Sequence, residues 1–189
     1  MKKGIFCLEG LWHEDLRYRS TVRPVLELLS LNSDIPYIHS DCATKEELEF
    51  YLSLWLKAEY DAYPILYLAF HGVREGILLY NQPYLLDEMA VLMAEKCRNR
   101  IFLFASCNTI RTDLRNLKRF LKITNALALG GYRKEVPWLK ATAFELLVLS
   151  EMQENALDGR GISAVQNRIK KMTDTFKELD FLLVTAKEL

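Results

Sequence analysis

Hydrophobic positions along the chain fall into two alternating patterns. Short continuous apolar runs occupy residues 5–8, 35–38, 65–70, 101–105, 126–129 and 181–184. Runs of that length, apolar on both side-chain faces, predict strands of a mostly parallel sheet covered on both sides. Between them the period lengthens to that of a helix. Leu48, Tyr51, Leu52, Trp55 and Leu56 fall on one stripe, as do Ile162, Val165, Ile169, Met172 and Phe176. Weaker helical patterns cover 21–31, 85–96, 113–123 and 137–152, the last with Pro137 suited to a first helical turn. Residues 76–86 read as a small hairpin off the main sheet, with strands at 77–80 and 83–85 around Asn81-Gln82. The order β-α-β-α-β-hairpin-α-β-α-β-α-α-β predicts an α/β three-layer sandwich with right-handed crossovers, formed by one domain over 1–189.

Composition narrows the partners. The 189 residues are 50% hydrophobic and 26% charged, enough to bury a real core. Twenty-five basic side chains balance 25 acidic ones, which argues against nucleic acid or an anionic membrane surface as the partner. No apolar run is long enough to span a bilayer, and Glu9 interrupts the first one too early for a signal peptide, so the cytosol is the expected compartment. Cys7, Cys42, Cys97 and Cys107 are scattered, which predicts free thiols. His39 and Cys42 lack a second pair to complete a metal cage, so no metal is expected.

The chemistry gathers where strands end. Gly10, Gly72 and the pair Gly130-Gly131 each follow a predicted strand, and ligands of an open parallel sheet bind at its carboxyl edge. The third run ends Leu68-Ala69-Phe70-His71-Gly72 and the fourth ends Ala105-Ser106-Cys107-Asn108-Thr109. Were these two strands sheet neighbours, about 4.8 Å apart, an imidazole and a thiol would emerge side by side. A thiol beside an imidazole is readily made a thiolate, the nucleophile of acyl transfer. The N–H groups of Gly72 and Cys107 are candidates for an oxyanion hole. The competing reading makes Cys107 a buried small hydrophobe and His71 an ordinary hydrogen-bonded imidazole.

These two strand ends resemble the motifs of caspase-like cysteine peptidases (clan CD). Ile65-Leu-Tyr-Leu-Ala-Phe-His71-Gly72 is similar to their strand ending in His-Gly, and 101–109 to the strand bearing their nucleophile, closest to bacterial CHAT-type domains. The turn Ala128-Leu-Gly-Gly-Tyr-Arg133 is similar to the next strand of that group. The resemblance implies a caspase-like sandwich in which His71 and Cys107 form a dyad that cleaves peptide bonds through an acyl-enzyme thioester. It implies a peptide or protein substrate and no cofactor. It also puts Glu9 and Tyr132 at the substrate, Glu9 favouring a basic residue before the scissile bond. One departure stands out: Ala105, two positions before Cys107, lacks the polar group that contacts the substrate in caspases. The alternatives are a catalytically silent binding module on the same fold, and a flavodoxin-like or nucleotide-binding domain. The second of these is disfavoured by the lack of a G-x-G-x-x-G or P-loop.

Overall fold

The structure, a computed structural model, describes residues 2–18 and 20–188. Its main sheet has six strands: β1 (Ile5–Glu9), β2 (Tyr37–Asp41), β3 (Ile65–Ala69), β7 (Ile101–Ala105), β8 (Ala128–Tyr132) and β9 (Phe181–Thr185). They lie in the order β2-β1-β3-β7-β8-β9, all parallel except β9, which closes one edge antiparallel to β8. Every residue of β1, β3, β7 and β8 is buried. This is what continuous apolar runs demand of central strands. The expected second strand is displaced toward the carboxyl side, from 35–38 to Tyr37–Asp41. It forms the edge of the sheet, half-exposed along its length, so polar Ser40 and Asp41 pair there without burial cost.

Side-chain alternation divides the core in two. Cys7, Tyr67 and Leu103 point to one face, beneath α1 (Arg23–Ser33), α5 (Trp138–Glu151) and α6 (Gly161–Thr175). Phe6, Leu66 and Phe102 point to the other, beneath α2 (Lys45–Trp55), α3 (Leu86–Leu92) and α4 (Leu114–Thr124). Helices therefore cover both faces, as the pattern of runs predicts. Local chemistry sets their ends. Thr44 and Glu47 close a capping box on α2, and the Asp113 carboxylate accepts the Arg115 N–H at the start of α4. Pro137 stands at the N-cap of α5, one position before the first turn. Helix α3 stops at Leu92, short of the expected Lys96, because Glu95 turns left-handed (φ 62°) and the chain pairs with the end of α4 through Glu95 N–H to Ile123 O at 2.8 Å.

The segment after β3 is a three-stranded antiparallel sheet. The expected hairpin is present as β5 (Gly76–Leu79) and β6 (Gln82–Leu85), and β4 (Gly72–Val73) adds a strand that was not anticipated. Two residues are too few to carry a period, so only the fold reveals them. The ring of Phe102 lies at the centre of the second core, edge-on to Trp55 (5.6 Å) and Phe120 (5.0 Å). Phe102→Ala is expected to cost about 3–5 kcal/mol of unfolding free energy, measured by urea titration, by leaving a cavity among rigid rings.

Candidate active site

β1 and β3 are neighbours whose following helices go to opposite faces: α1 to one, α3 to the other. The carboxyl ends of such a pair splay apart and leave a crevice. His71 follows β3 and Cys107 follows the next strand, β7. The registry of these strands pairs Ile65 with Ile101 through to Ala69 with Ala105. Continued two steps, the same offset sets His71 opposite Cys107. Both side chains line one cleft, His71 exposed and Cys107 half-buried.

Two contacts hold the strand ends together beyond the ladder. The Ser106 hydroxyl accepts the Phe70 N–H and donates to Leu68 O, both at 3.3 Å. Gly72 lies so near the next turn that a Cβ on it would sit 1.8 Å from Cys107 O. Only glycine permits that approach. Past Cys107 the chain turns through a left-handed Asn108 (φ 61°), and Thr109 donates to Gly76 O at 3.0 Å, tying this loop to the small sheet. The Leu78 N–H donates to His71 O at 2.8 Å, and Gly72 pairs with Ile77 one step further on. Alternation of an antiparallel ladder then leaves the Gly72 N–H directed away from β5.

His71 Nε2 lies 2.9 Å from the carbonyl oxygen of Trp12. A carbonyl only accepts, so Nε2 carries the proton and Nδ1 is the basic nitrogen of the neutral ring. The Trp12 indole stands edge-on to the His71 ring at 5.3 Å and to Trp138 at 4.3 Å. The Cys107 sulfur accepts the Val136 N–H at 3.4 Å.

Glu9 has a different part from the one expected. Its carboxylate is 2% exposed and accepts from Trp12 Nε1 (2.5 Å), Thr21 Oγ1 (2.6 Å), His39 Nε2 (2.7 Å) and Val22 N–H (2.8 Å). It faces a neighbouring hollow with His39 and Asp41, outside the cleft of Cys107. There it caps the start of α1 and fixes the loop that carries Trp12. The acidic group that does line the cleft is Glu145, on α5, 3% exposed. Tyr132 also lines the cleft; it is fully buried and donates to Glu145 Oε1 at 2.8 Å, while Tyr67 donates to Oε2 at 2.5 Å. Of the five residues singled out in the sequence, the structure thus gathers His71, Gly72, Cys107 and Tyr132 and sets Glu9 aside. Trp12, Ser106 and Glu145 were missed. Glu145 had a signal: it interrupts the apolar stripe Ala141, Phe144, Val148, Leu149 of α5 with a charge.

This arrangement defines a class. The sandwich, the parallel sheet and the small antiparallel sheet after β3 make the fold caspase-like. Caspase-1 from Spodoptera frugiperda superposes with a TM-score of 0.62 over 98% of this chain and 88% of that one, at 10% identity. Likeness at that identity speaks for the fold alone. In sequence, residues 2–184 match the model of the family of unknown function DUF6642, and the chain belongs to that family. No curated protein sequence matches it significantly.

The two buried carboxylates titrate in opposite senses. Burial pushes Glu9 up, but the hydrogen bonds from His39, Thr21, Trp12 and Val22 outweigh it and hold Glu9 below the ordinary 4.5. Burial dominates at Glu145 and raises it, the two tyrosines offsetting part of the effect. A depressed carboxyl contributes stability above its unfolded pKa and loses it as pH falls through the folded value. A raised one contributes below its unfolded pKa and loses it as pH rises through the folded value. Melting temperatures between pH 3 and 8 should therefore diverge. Relative to wild type, Glu9→Gln should lose ground as pH rises toward 4.5, and Glu145→Gln should gain ground as pH rises beyond it.

Proposed function

We propose that this protein is a cysteine peptidase that hydrolyses peptide bonds through a thioester on Cys107, with His71 as the proton carrier. The observation that carries this reading is that both side chains line one cleft at neighbouring strand ends, with the imidazole tautomer set by the Trp12 carbonyl. Nδ1 of His71 takes the thiol proton as the Cys107 sulfur attacks the substrate carbonyl carbon. The carbonyl π pair moves to oxygen, and the oxyanion is received by the N–H groups of Gly72 and Cys107. His71 then returns its proton to the leaving amine as the C–N bond breaks, leaving the acyl group on sulfur. Water attacks the thioester and gives its proton to His71. Collapse of this second oxyanion expels the Cys107 sulfur, which recovers its proton and releases the carboxylic acid.

The close approach of Gly72 to Cys107 supports the oxyanion assignment, since it keeps the two backbones side by side just past the sheet. The Trp12 carbonyl has an orienting part: it holds His71 against rotation and carries partial negative charge toward the imidazolium. A triad carboxylate is not required. Chymotrypsin-like enzymes use an aspartate for these two tasks, and a fixed backbone carbonyl performs both more weakly.

A fluorogenic peptide library tests this reading. Wild type should cleave members of the library, and Cys107→Ala and His71→Ala should each lower kcat/KM by about 10³-fold or more with native circular dichroism. Labelling of Cys107 by a peptidyl acyloxymethyl ketone, read by intact mass, should be lost in both. A silent library with no labelling would leave a binding module on the same fold. Gly72→Ala gives an independent check. Its methyl must displace the Cys107 carbonyl, so kcat should fall by about 10²-fold or more while the fold persists.

A further inference from the structure

The cleft contains an acid without a base. Glu145 is buried, lines the same cavity as Cys107 and His71, and has the hydroxyls of Tyr67 and Tyr132 as its partners; no lysine or arginine among the described residues pairs with it. A carboxylate offers about four acceptor sites, and two tyrosine donors occupy two of them. Removing such a charge from water without a counter-ion is costly, and an active-site cleft is where such a cost accompanies function. Among the described residues, the other two buried charged side chains are better compensated: Arg100 by Asp61 and Trp55 O, Glu9 by its four donors.

The remaining walls suit a cation. The indoles of Trp12 and Trp138 line the same cleft, edge to face at 4.3 Å, together with the small side chains of Ala105 and Ala141. We infer that this cleft is the specificity pocket for the residue on the acyl side of the scissile bond, that it takes an arginine or lysine side chain, and that Glu145 is its counter-charge. The inference rests on the peptidase reading and deepens it. It moves the basic preference expected of Glu9 to a residue on another element, 136 positions away in sequence. The aliphatic stem lies between the tryptophans and the alanines, and the cationic head completes the acceptor sites that the tyrosines leave open.

The test is a set of tetrapeptide aminocoumarins identical except for Arg, Lys, Leu or Asp before the scissile bond, assayed with wild type and Glu145→Gln. Wild type should prefer Arg and Lys over Leu by about tenfold or more in kcat/KM. Glu145→Gln should lose about 10- to 100-fold on the Arg substrate and stay within about threefold on Leu. An active wild type that prefers Asp or Leu overturns the pocket assignment and leaves the peptidase reading intact. Equal losses on Arg and Leu also overturn it, because they make Glu145 structural. Should Glu145→Gln fail to fold by circular dichroism, the wild-type ranking decides alone. If no substrate is cleaved and Cys107 is not labelled, the peptidase reading fails. Calorimetric binding of acetyl-Arg-amide against acetyl-Leu-amide to Cys107→Ala then judges the pocket separately: selective binding of the arginine compound upholds it, and equal or absent binding overturns it.

Discussion

The site depends on how closely two backbones approach each other just beyond the sheet. β3 and β7 stop pairing at Ala69 and Ala105, yet the chains continue together for two more residues, pinned by the Ser106 hydroxyl and by the absence of a side chain at Gly72. Hydrogen bonds of that length are individually modest, worth about 0.5–1.5 kcal/mol net. Their effect is geometric. They keep an imidazole and a thiol over one crevice at a place where parallel strands normally diverge into separate turns. The small sheet then braces the arrangement from the side, through Thr109 to Gly76 and Leu78 to His71. It is held by the loops after β3 and β7 as much as it holds them.

Much of the fold was legible because burial leaves a plain record. Four central strands must be apolar on both faces, and their runs identified three of them to within one residue. The run at 126–129 found β8 but started two residues early and stopped three short of Tyr132, where glycines replace the apolar side chains. Helical stripes such as Leu48 to Leu56 marked α2 for the same reason. The misplacements share one cause, which is that partners distant in sequence set the boundaries. β2 slid to Tyr37–Asp41 because an edge strand needs apolar character on one face only, so registry with β1 decided its limits. β4 exists because Gly72 and Val73 meet β5, which no local period encodes. His71 and Cys107 were legible for a related reason: reactive side chains directly after buried runs emerge together if the runs are neighbours. The sequence order of the strands made that adjacency the simplest arrangement.

The exchange of parts between Glu9 and Glu145 shows where such reading stops. Both are glutamates on elements that border the crevice. Glu9 stands at the lip of β1, the place where a substrate contact is expected, and Glu145 lies in mid-helix. What separates them is their donors. Glu9 meets an indole, a hydroxyl, an imidazole and a backbone amide within three ångströms, all from loops and strands that converge only in the fold. That satisfied carboxylate is a rivet for the β1–α1 connection. Its importance to the site is indirect, through the Trp12 carbonyl that fixes the His71 tautomer.

Glu145 has the opposite logic, and its cost is informative. Two neutral donors do not match what water gives an ionised carboxylate, so burial wins and its pKa rises. Leucine there would complete the apolar stripe of α5 but take away the acceptor of the buried Tyr67 hydroxyl, whereas glutamine would keep an acceptor without the charge. The tyrosines Tyr67 and Tyr132 reach it from β3 and β8, on either side of β7, the strand that leads to Cys107. A carboxylate held by both neighbours of β7 thus lines the same cleft as Cys107. The partner inferred for this buried carboxylate comes from outside the chain.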